Sequence, residues 1–521
     1  MKTEFSRWYV KDRKKCVKLT PTTATRLVCE QYQVSDRRGR YSYCGATRGW
    51  PGSDGNSSDI PKNDIILPAG VVNKALLPRE LDSARCATFA CLCQRFGGMM
   101  KSRPLSECVL RNGEVLSKSI RKEYRMLSDD ERIRYHNAVN QLKNSRMYEL
   151  FAYWHYHYAQ EGGAHQGPAF ALWHREYIKR YEIALKAVDP TVSLPYWDSV
   201  LDENLDDPLD SVLWSDELMG RTYMDKDIGY VYTGPFGDWT TLSVYNRDPV
   251  PNRTDPEFHE YRKVLGGTRI KRVFNSTIPL FAEEIVQGIL SNTSINRIFT
   301  SPTAREGCAV RMRWNTGLEY SLEVAHGSVH NFVGGDFANP QTAANDPLFF
   351  MLHSFVDYIW EVWRQTHQAE QEREYSYPQS SDYCHSPAHF ISSEMKPFRG
   401  EDNKLMKNRD ALSNRYSEFY EYEPRPSCNQ FTYNCGSKYL FCDQSHDSLR
   451  CISKVKLGGN CAGYKAVGED VCYNGMCKNG VCVEVVGRES IDPNLPQTGW
   501  LPEDVAQPGF LPEGVFMPGT Q

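Results

Sequence analysis

Two groups of histidines combine metal-ligating side chains with aromatic and aliphatic neighbours. The first group lies within residues 149–177, and the second lies within residues 323–357. Imidazole nitrogen binds copper, zinc, iron and nickel, and apolar surroundings hold such a ligand in place and keep water out. Two groups predict two metal sites. The histidines concerned are His155, His157, His165, His174, His326, His330 and His353.

The spacing of the second group defines one complete set of ligands. His326 and His330 are four residues apart, so on a helix their side chains lie one above the other on the same face. Both can therefore bind one ion. His353 follows in the same group and supplies the third ligand of this predicted site.

The first group contains four histidines, one more than a site with three ligands needs. His155 and His157 are two residues apart and point away from each other on a helix, so one of them at most binds the ion. His155 shares the buried side of the helix with an apolar row at spacings of three and four, namely Phe151, Trp154 and Tyr158. The predicted first site is therefore His155, His165 and His174.

The donor set indicates which metal binds. These two motifs offer six histidines and neither cysteine nor carboxylate ligands, which favours copper, the divalent ion of highest affinity for such donors. A zinc hydrolase more often includes a carboxylate ligand, and a di-iron site uses several glutamates with Glu-x-x-His spacing. A structural position in the core is the alternative for any single histidine, and it explains two complete triads poorly.

Both motifs resemble the copper-binding motifs of tyrosinases and related type 3 copper proteins. The segment 149–177, with its His-x8-His and the ending Ala-Phe-Ala-Leu-Trp-His-Arg, resembles the first motif. The segment 326–353, with His-x3-His followed by Asn-Asp-Pro-x5-His, resembles the second. The resemblance extends from residue 119 to residue 423 and implies a mainly α fold. A four-helix bundle with long loops would surround two copper ions, each with three histidines, that bind O2 between them.

The resemblance also implies an activity, the oxidation of phenols and catechols to ortho-quinones. Glu319 matches the glutamate that holds a water near the coppers and helps to take a phenolic proton. Glu323 is the nearby alternative, although a surface carboxylate is its simpler interpretation. Asp357, four residues beyond His353, is expected to accept a hydrogen bond from a ligand imidazole. Arg175 and Asp346 are further candidates near the ligands on the resemblance alone.

Two glycines depart from the family pattern. Some members carry a thioether-linked cysteine two residues before the second ligand, where this chain has Gly163, so that cross-link is absent. Many phenol-hydroxylating members have asparagine after the fourth ligand, where this chain has Gly327. Deprotonation of a monophenol is then less efficient, whereas a more acidic catechol needs less help. We therefore expect catechol oxidation, with monophenol hydroxylation as a secondary activity.

Helix signals agree with this core. Ser128 is a favourable N-cap for a helix over 129–143, with acidic residues in its first turn. A second helix is expected over 169–188, and His353 is expected to open another. His136, on the flank of the first of these helices, is interpreted as structural.

Length and cysteine content predict four regions in this chain of 521 residues. Eight of the 17 cysteines lie between residues 428 and 482, which predicts four disulfides in an EGF-like or similar module. Cys308 and Cys384 are expected to pair with cysteines nearer the N-terminus, and the odd total leaves one thiol free or bridging to another chain. The regions are a cysteine-containing arm over 1–118, the dicopper core over 119–425, the module over 426–485 and a Pro/Gly-rich flexible tail over 486–521.

Charge and processing signals suggest an extracellular protein. A net charge of −4 and a pI near 6.4 argue against nucleic acid or an anionic membrane as a partner, and no apolar run approaches the roughly 18 residues that span a bilayer. The cysteine content and the sequons favour secretion, although the first residues have no apolar signal segment. We therefore expect a secreted glycoprotein whose leader is not part of this sequence. The sequons that support this route are Asn56, Asn252, Asn275 and Asn292.

The predicted role follows from the reactivity of quinones, which couple to amines and thiols. Pigment formation or cross-linking of a secreted matrix such as cuticle or shell is expected, with small phenols, O2 and tyrosine-containing matrix proteins as partners. One alternative is a hemocyanin-like oxygen carrier, which would use the same histidines and block phenols. Another is a non-catalytic matrix protein that holds zinc in place of copper.

Overall fold

The structure is a computed structural model that describes residues 82–101, 107–159, 163–223, 229–241, 269–301, 303–309, 320–378, 381–445 and 448–485. It also gives the backbone of five short strands nearer the N-terminus: Trp8–Val10 (β1), Cys16–Lys18 (β2), Leu27–Cys29 (β3), Gln33–Asp36 (β4) and Tyr41–Tyr43 (β5). The predicted tail over 486–521 lies outside the described residues.

Helices make up the core. In chain order they are Phe89–Arg95 (α1), Asp129–Asn144 (α2), Met147–Tyr158 (α3), Ala169–Val188 (α4), Val200–Glu203 (α5), Glu283–Ser291 (α6), Ile295–Ile298 (α7), Leu322–Val333 (α8), Leu348–His367 (α9), Glu370–Arg373 (α10), Ser381–Cys384 (α11) and Tyr416–Phe419 (α12). Short 3-10 helices cover Tyr124–Met126, Pro208–Asp210, Val212–Trp214, Gly335–Ala338, Ala343–Asn345, Pro387–His389 and Asn408–Leu412.

Helix α4 is the centre of this arrangement. Every residue from Ala169 to Lys186 is buried, which is typical of a helix surrounded by other elements on all sides. Helix α9 packs against α4 and α8, and α2 packs against α3 and α4. Tyr181 of α4 stacks on Phe350 of α9, with ring centroids 3.6 Å apart. The predicted mainly α class with a helical-bundle core is confirmed.

The start signals of the helices explain where they begin. Ser128 accepts a hydrogen bond from the Glu131 N–H, and the Glu131 carboxylate accepts one from the Ser128 N–H. This capping box confirms the predicted N-cap of α2. The helix predicted over 169–188 is also confirmed. The prediction that His353 opens a helix is wrong, because α9 begins at Leu348, directly after Pro347, a residue that favours helix starts.

The remaining strands are short and lie around the helices. They are Met99–Lys101 (β6), Glu107–Val109 (β7), Val115–Leu116 (β8), Ser119–Arg121 (β9), Glu394–Arg399 (β10), Leu405–Lys407 (β11), Tyr420–Tyr422 (β12), Leu440–Asp443 (β13), Arg450–Ser453 (β14), Gly475–Lys478 (β15) and Val481–Glu484 (β16). Strands β9 and β12 pair in parallel, and this pairing joins the two ends of the core in space.

Helix α6 lies in the stretch between the two histidine motifs. Its buried residues Val286 and Ile289 are three apart, so they lie on one face of the helix, and the helix packs against α9. The sequence did not predict this helix, because nine residues give too short a periodic signal to stand out from the surrounding Asp- and Gly-rich sequence.

Seven disulfides form among the described residues. Four lie in the predicted module, which confirms their number, and two more pair Cys86 with Cys91 and Cys93 with Cys108. Cys308 pairs with Cys384, so the prediction that each pairs with a cysteine nearer the N-terminus is wrong. The four bridges of the module are Cys428–Cys442, Cys435–Cys451, Cys461–Cys477 and Cys472–Cys482.

The cysteine-rich region contacts the core through residues 201–217. Leu205 packs in a buried cluster with Phe441 and Ile452. Glu217 accepts hydrogen bonds from three groups of the region, the hydroxyls of Tyr439 and Tyr473 and the ammonium of Lys438. Within the described part of the chain, no helix is both long enough and apolar enough to cross a bilayer.

Candidate metal centre

The first predicted triad comes together between two helices. His155 lies on α3 and His174 on α4, while His165 lies in the connection between them. The ring centroid of His155 lies 5.2 Å from that of His165 and 5.7 Å from that of His174. The centroids of His165 and His174 are 5.0 Å apart. One nitrogen from each ring lies within 4.8 Å of the others, a spacing that suits one shared ion.

The second predicted triad is built by the remaining two helices of the site. His326 and His330 lie on one face of α8, as their spacing predicted, with ring centroids 4.4 Å apart. His353 reaches them from α9, at 4.7 Å from His326 and 5.7 Å from His330. These three rings also offer nitrogens within 4.8 Å of one another.

The two triads lie side by side in a wall of aromatic rings. His174 and His353, one from each triad, stack with centroids 4.0 Å apart and planes 9° apart. The ring centroid of Phe170 lies 4.7 Å from that of His174 and 4.8 Å from that of His326. The ring centroid of Phe349 lies 4.6 Å from that of His155 and 4.1 Å from that of His353. Ions held by the two sets would therefore lie close enough for one small molecule to contact both.

The hydrogen bonds of the rings fit metal binding. In four of the six histidines Nδ1 lies within 2.7–3.0 Å of a backbone carbonyl oxygen, which assigns the ring proton to Nδ1 and leaves Nε2 as a donor for a metal. Nε2 of His155 and of His174 is buried without a partner, a cost that a bound ion would remove. The four carbonyls belong to Ala159 (to His165), Phe170 (to His174), Glu323 (to His326) and Phe337 (to His330).

Burial favours the protonation state that metals need. It lowers the pKa of His165 to about 4 and the pKa of His330 to about 3, because removal from water disfavours the charged imidazolium. The pKa values of the other four histidines are also lowered by burial. Neutral imidazole is the form that coordinates a metal. The residues present therefore fit the metal that the sequence predicted.

Other histidines lie outside both triads. His157 packs against Tyr153 at 4.2 Å, as expected for the histidine that does not share the buried side of α3. His136 lies within 2.6 Å of the Tyr124 hydroxyl and packs against Phe236, which agrees with its structural interpretation. His385 and His389, which belong to neither histidine motif, form a buried pair beside the metal centre. Their ring centroids are 5.8 Å apart. His259 lies outside the described residues.

Asp357 has a different role from the predicted one. Its Oδ1 accepts a hydrogen bond from Arg175 Nε at 2.7 Å, and its Oδ2 accepts one from each of Tyr420 and Tyr422, also at 2.7 Å. The prediction that it bonds a ligand imidazole is therefore wrong. One helical turn beyond His353, its carboxylate meets the guanidinium of the residue after His174, and so it joins α9 to α4 behind the ligands.

Asp346 supports the start of α9. It forms a two-point ion pair with the buried guanidinium of Arg272, at 2.7 and 2.9 Å, and its Oδ1 also accepts the Leu348 N–H at 3.1 Å. A carboxylate at a helix N-terminus is favourable because of the unpaired N–H groups there. Asp346 thus fixes the beginning of the helix that carries His353.

The two glutamates named from the sequence have different outcomes. Glu319 lies outside the described residues, so its role stays a prediction. Glu323 is half-buried, and its two carboxylate oxygens accept the N–H groups of Gln166 and Gly167, next to His165. Burial raises its pKa to about 7, although these two N–H groups act in the opposite direction. The surface interpretation of Glu323 missed these two hydrogen bonds, because a partner 157 residues away leaves no signal in local spacing.

A buried carboxyl group near the second triad gives a pH prediction. Burial raises the pKa of Asp336 to about 8, and its Oδ2 accepts the Lys271 N–H at 2.9 Å. In the unfolded chain this carboxyl group has a pKa near 3.8, so its contribution to stability is complete below that pH and is lost as the pH rises through about 8. Asp336→Asn should therefore gain melting temperature relative to the unsubstituted protein between pH 5 and pH 8. The melting temperatures of both proteins at pH 5 and at pH 8 test this. The same difference in melting temperature at the two pH values would contradict it.

Comparison with known proteins gives the family. The common central domain of tyrosinase matches residues 145–366. The tyrosinase-like protein tyr-3 of Caenorhabditis elegans is 38% identical over 91% of this chain and 60% of its own length. The tyrosinase of Streptomyces glaucescens is 31% identical over 48% of this chain and 84% of its own length. The chain belongs to the tyrosinase family. The resemblance of its two histidine motifs is thereby confirmed.

Family membership gives a metal and a class of reaction. Proteins of the tyrosinase family bind copper and are oxidoreductases, which agrees with the donor set of this member. Tyrosinase-like protein 2 of Margaritifera margaritifera is 28% identical over 67% of this chain and 70% of its own length. The chain spans 60% of the length of the Caenorhabditis elegans relative.

Proposed function

We propose that this protein oxidises catechols to ortho-quinones with O2, at two coppers held by the six histidines. The observation that carries the proposal is the contact between two complete triads, whose His174 and His353 rings lie 4.0 Å apart. A copper pair supplies the site for O2 and the path for electrons. Two catechols each lose two electrons and two protons, and one O2 takes up all four of each, giving two quinones and two waters.

The chain's own residues supply a rigid and dry site. Five ligands lie on buried helices, and backbone carbonyls fix the orientation of four rings. Phe170 and Phe349 pack against the ligand rings, so they exclude water, and the protons it would supply, from the space beside those rings. Glu319 is proposed to take the phenolic proton, on the family resemblance.

Metal analysis combined with a catechol assay tests the proposal. Two coppers per chain and O2-dependent quinone formation are expected. Copper with reversible O2 binding and no quinone would replace the proposal with an oxygen carrier. Zinc without turnover would replace it with a non-catalytic matrix protein.

Gly327 is proposed to set the preference for catechols over monophenols. Apart from its own helix, a Cβ at this position would meet no atom within 4 Å, so the side chain of a substituted residue would start into open space. Asparagine there should support the water that takes the phenolic proton, as it does in hydroxylating members of the family. Gly327→Asn is expected to raise the ratio of monophenol hydroxylation to catechol oxidation by roughly 10-fold, which is less than the roughly 10²- to 10⁴-fold effect of a complete general base, because the amide only supports the water.

The matched control is Gly327→Ala, which adds the Cβ at the same position without an amide. Initial rates of O2 uptake with a monophenol and with the corresponding catechol give the ratio for each variant. An equal rise in both variants would indicate a packing effect and would contradict the role assigned to the amide.

The physiological setting is proposed to be a secreted matrix. Seven disulfides among the described residues suit an oxidising compartment, and the sequon residue Asn275 is exposed. Quinones that couple to amines and thiols would form pigment or cross-link tyrosine-containing matrix proteins, as in cuticle or shell. A glycosidase-sensitive mass at Asn275 in protein from the native source is expected, and an unmodified intracellular protein would contradict secretion.

A further inference from the structure

His165 differs from the other five predicted ligands because it lies outside a helix. It belongs to the segment 163–168, called the His165 loop here, and it is partly exposed. A ligand on a loop is held less precisely than one on a helix. Gly163 stands where some relatives have a cysteine bonded to this ligand, so other contacts must position the loop.

The loop adopts a backbone conformation that needs support. Gln166 has φ of 67°, in the left-handed region that residues other than glycine rarely occupy. Both of its backbone polar groups are held from outside the loop. Its carbonyl accepts the hydroxyls of Ser301 at 2.9 Å and Thr303 at 2.6 Å, and its N–H donates to Glu323.

Glu323 links this loop to the other half of the centre. Its side chain accepts the N–H groups of Gln166 and, at 3.1 Å, Gly167. Its backbone carbonyl lies 3.0 Å from Nδ1 of His326. A single residue in the first turn of α8 therefore contacts the segment around a ligand of the first triad and a ligand ring of the second.

The opposite side of the loop is packed against residues 388 and 389. A Cβ at Gly163 would lie 2.6 Å from the Ala388 carbonyl oxygen, and one at Gly167 would lie 2.7 Å from the His389 ring. The loop thus lies between this packed surface and the hydrogen bonds of Glu323. Removing those bonds loosens the N–H side of Gln166 and leaves the packing and the Ser301 and Thr303 hydrogen bonds intact.

We propose that Glu323 is a positioning residue that holds His165 in place for the first copper. The helix that supplies His326 and His330 to the second copper thereby also fixes a ligand of the first. This inference rests on the proposed dicopper site. It does not require that the site turns over a phenol.

The rate at which each copper is lost to a chelator tests the role. In Glu323→Gln the neutral amide can accept only one of the two N–H groups, and its NH2 group faces the other. The copper of the first triad is expected to leave about 10- to 100-fold faster, the usual cost of removing a partner that orients a ligand. The copper of the second triad should leave at an unchanged rate. The variants His155→Ala and His330→Ala assign each kinetic phase to its triad.

Three further variants separate positioning from folding. Glu284→Gln makes the same change at an exposed position on α6 and should leave both rates unchanged. Thr303→Val removes a hydroxyl from the other side of Gln166 and should also speed release from the first triad alone, even if Glu323→Gln fails to fold. Glu323→Asp, which keeps the charge, should restore part of the loss.

Equal release rates in Glu323→Gln and the unsubstituted protein would overturn the inference, as would an equal acceleration of both coppers. If Glu323→Gln fails to fold, unchanged release in Thr303→Val would overturn it. A protein with two coppers and no quinone product would overturn the proposed catecholase function and leave this comparison intact.

Discussion

Replacing His155 with alanine is expected to remove one copper and to lower catechol oxidation by about 10³-fold or more. Its Nε2 is buried without a hydrogen-bond partner, and the ring lies 5.2 and 5.7 Å from the other two members of its triad. Loss of one ion would remove half of the copper pair that the proposed reaction needs. Electrostatic stabilisation by a metal amounts to several kcal/mol, and about 1.4 kcal/mol corresponds to a tenfold rate change.

His157→Ala is the matched control for this prediction. It changes the same residue type two positions away on the same helix, where the ring packs against Tyr153 and lies outside both triads. This variant should keep two coppers and most of the catechol oxidation. Copper content per chain and initial rates of quinone formation decide the comparison. The ligand assignment would fail if His157→Ala lost the metal while His155→Ala kept it.

Removing the charge of Asp357 should cause the largest loss of stability among single changes near the site. Its carboxylate is buried against Arg175 and also lies 3.5 Å from the buried Arg121. Burial alone would raise its pKa, but these two guanidinium groups keep the pKa of Asp357 below its usual value. Asp357→Asn removes the carboxylate that two buried guanidinium groups share, although Arg121 keeps its ion pair with Glu182 and Arg175 keeps its ion pair with Glu361. The free energy of unfolding should fall by about 3 kcal/mol, at the lower end for breaking a buried ion pair, and the melting temperature by on the order of 10 °C.

The pH dependence of this loss has a definite sign. Because the folded pKa of Asp357 is lowered, its stabilising contribution is present above the unfolded value near 3.8 and disappears as the pH falls through the folded value. The difference between the two proteins should therefore persist at pH 7 and shrink in acid. Asp238→Asn, which removes an exposed carboxylate 3.6 Å from Arg269, should leave the melting temperature unchanged. A comparable loss in both variants would refute the special role of the buried pair.

The sequence predicted those features that depend on local spacing. The helical period reveals two of these features: the pair of histidines four residues apart on α8, and the apolar row that distinguishes His155 from His157. The cap at Ser128 was also visible without coordinates, because a cap depends only on neighbouring residues. The crowding of eight cysteines within a short stretch likewise predicted four bridges, because such a stretch is too small to be stable without them.

Contacts between distant residues were decided only by the tertiary structure. Asp357 meets Arg175 in place of an imidazole, Cys308 pairs with Cys384, and Glu323 holds a loop 157 residues earlier in the chain. Which partner a buried charge, thiol or carboxylate finds depends on how helices pack and cross, and helical periodicity carries no information about that. The sequence alone thus determined which residues could bind metal, whereas the packing of α3, α4, α8 and α9 determined what holds those residues in place.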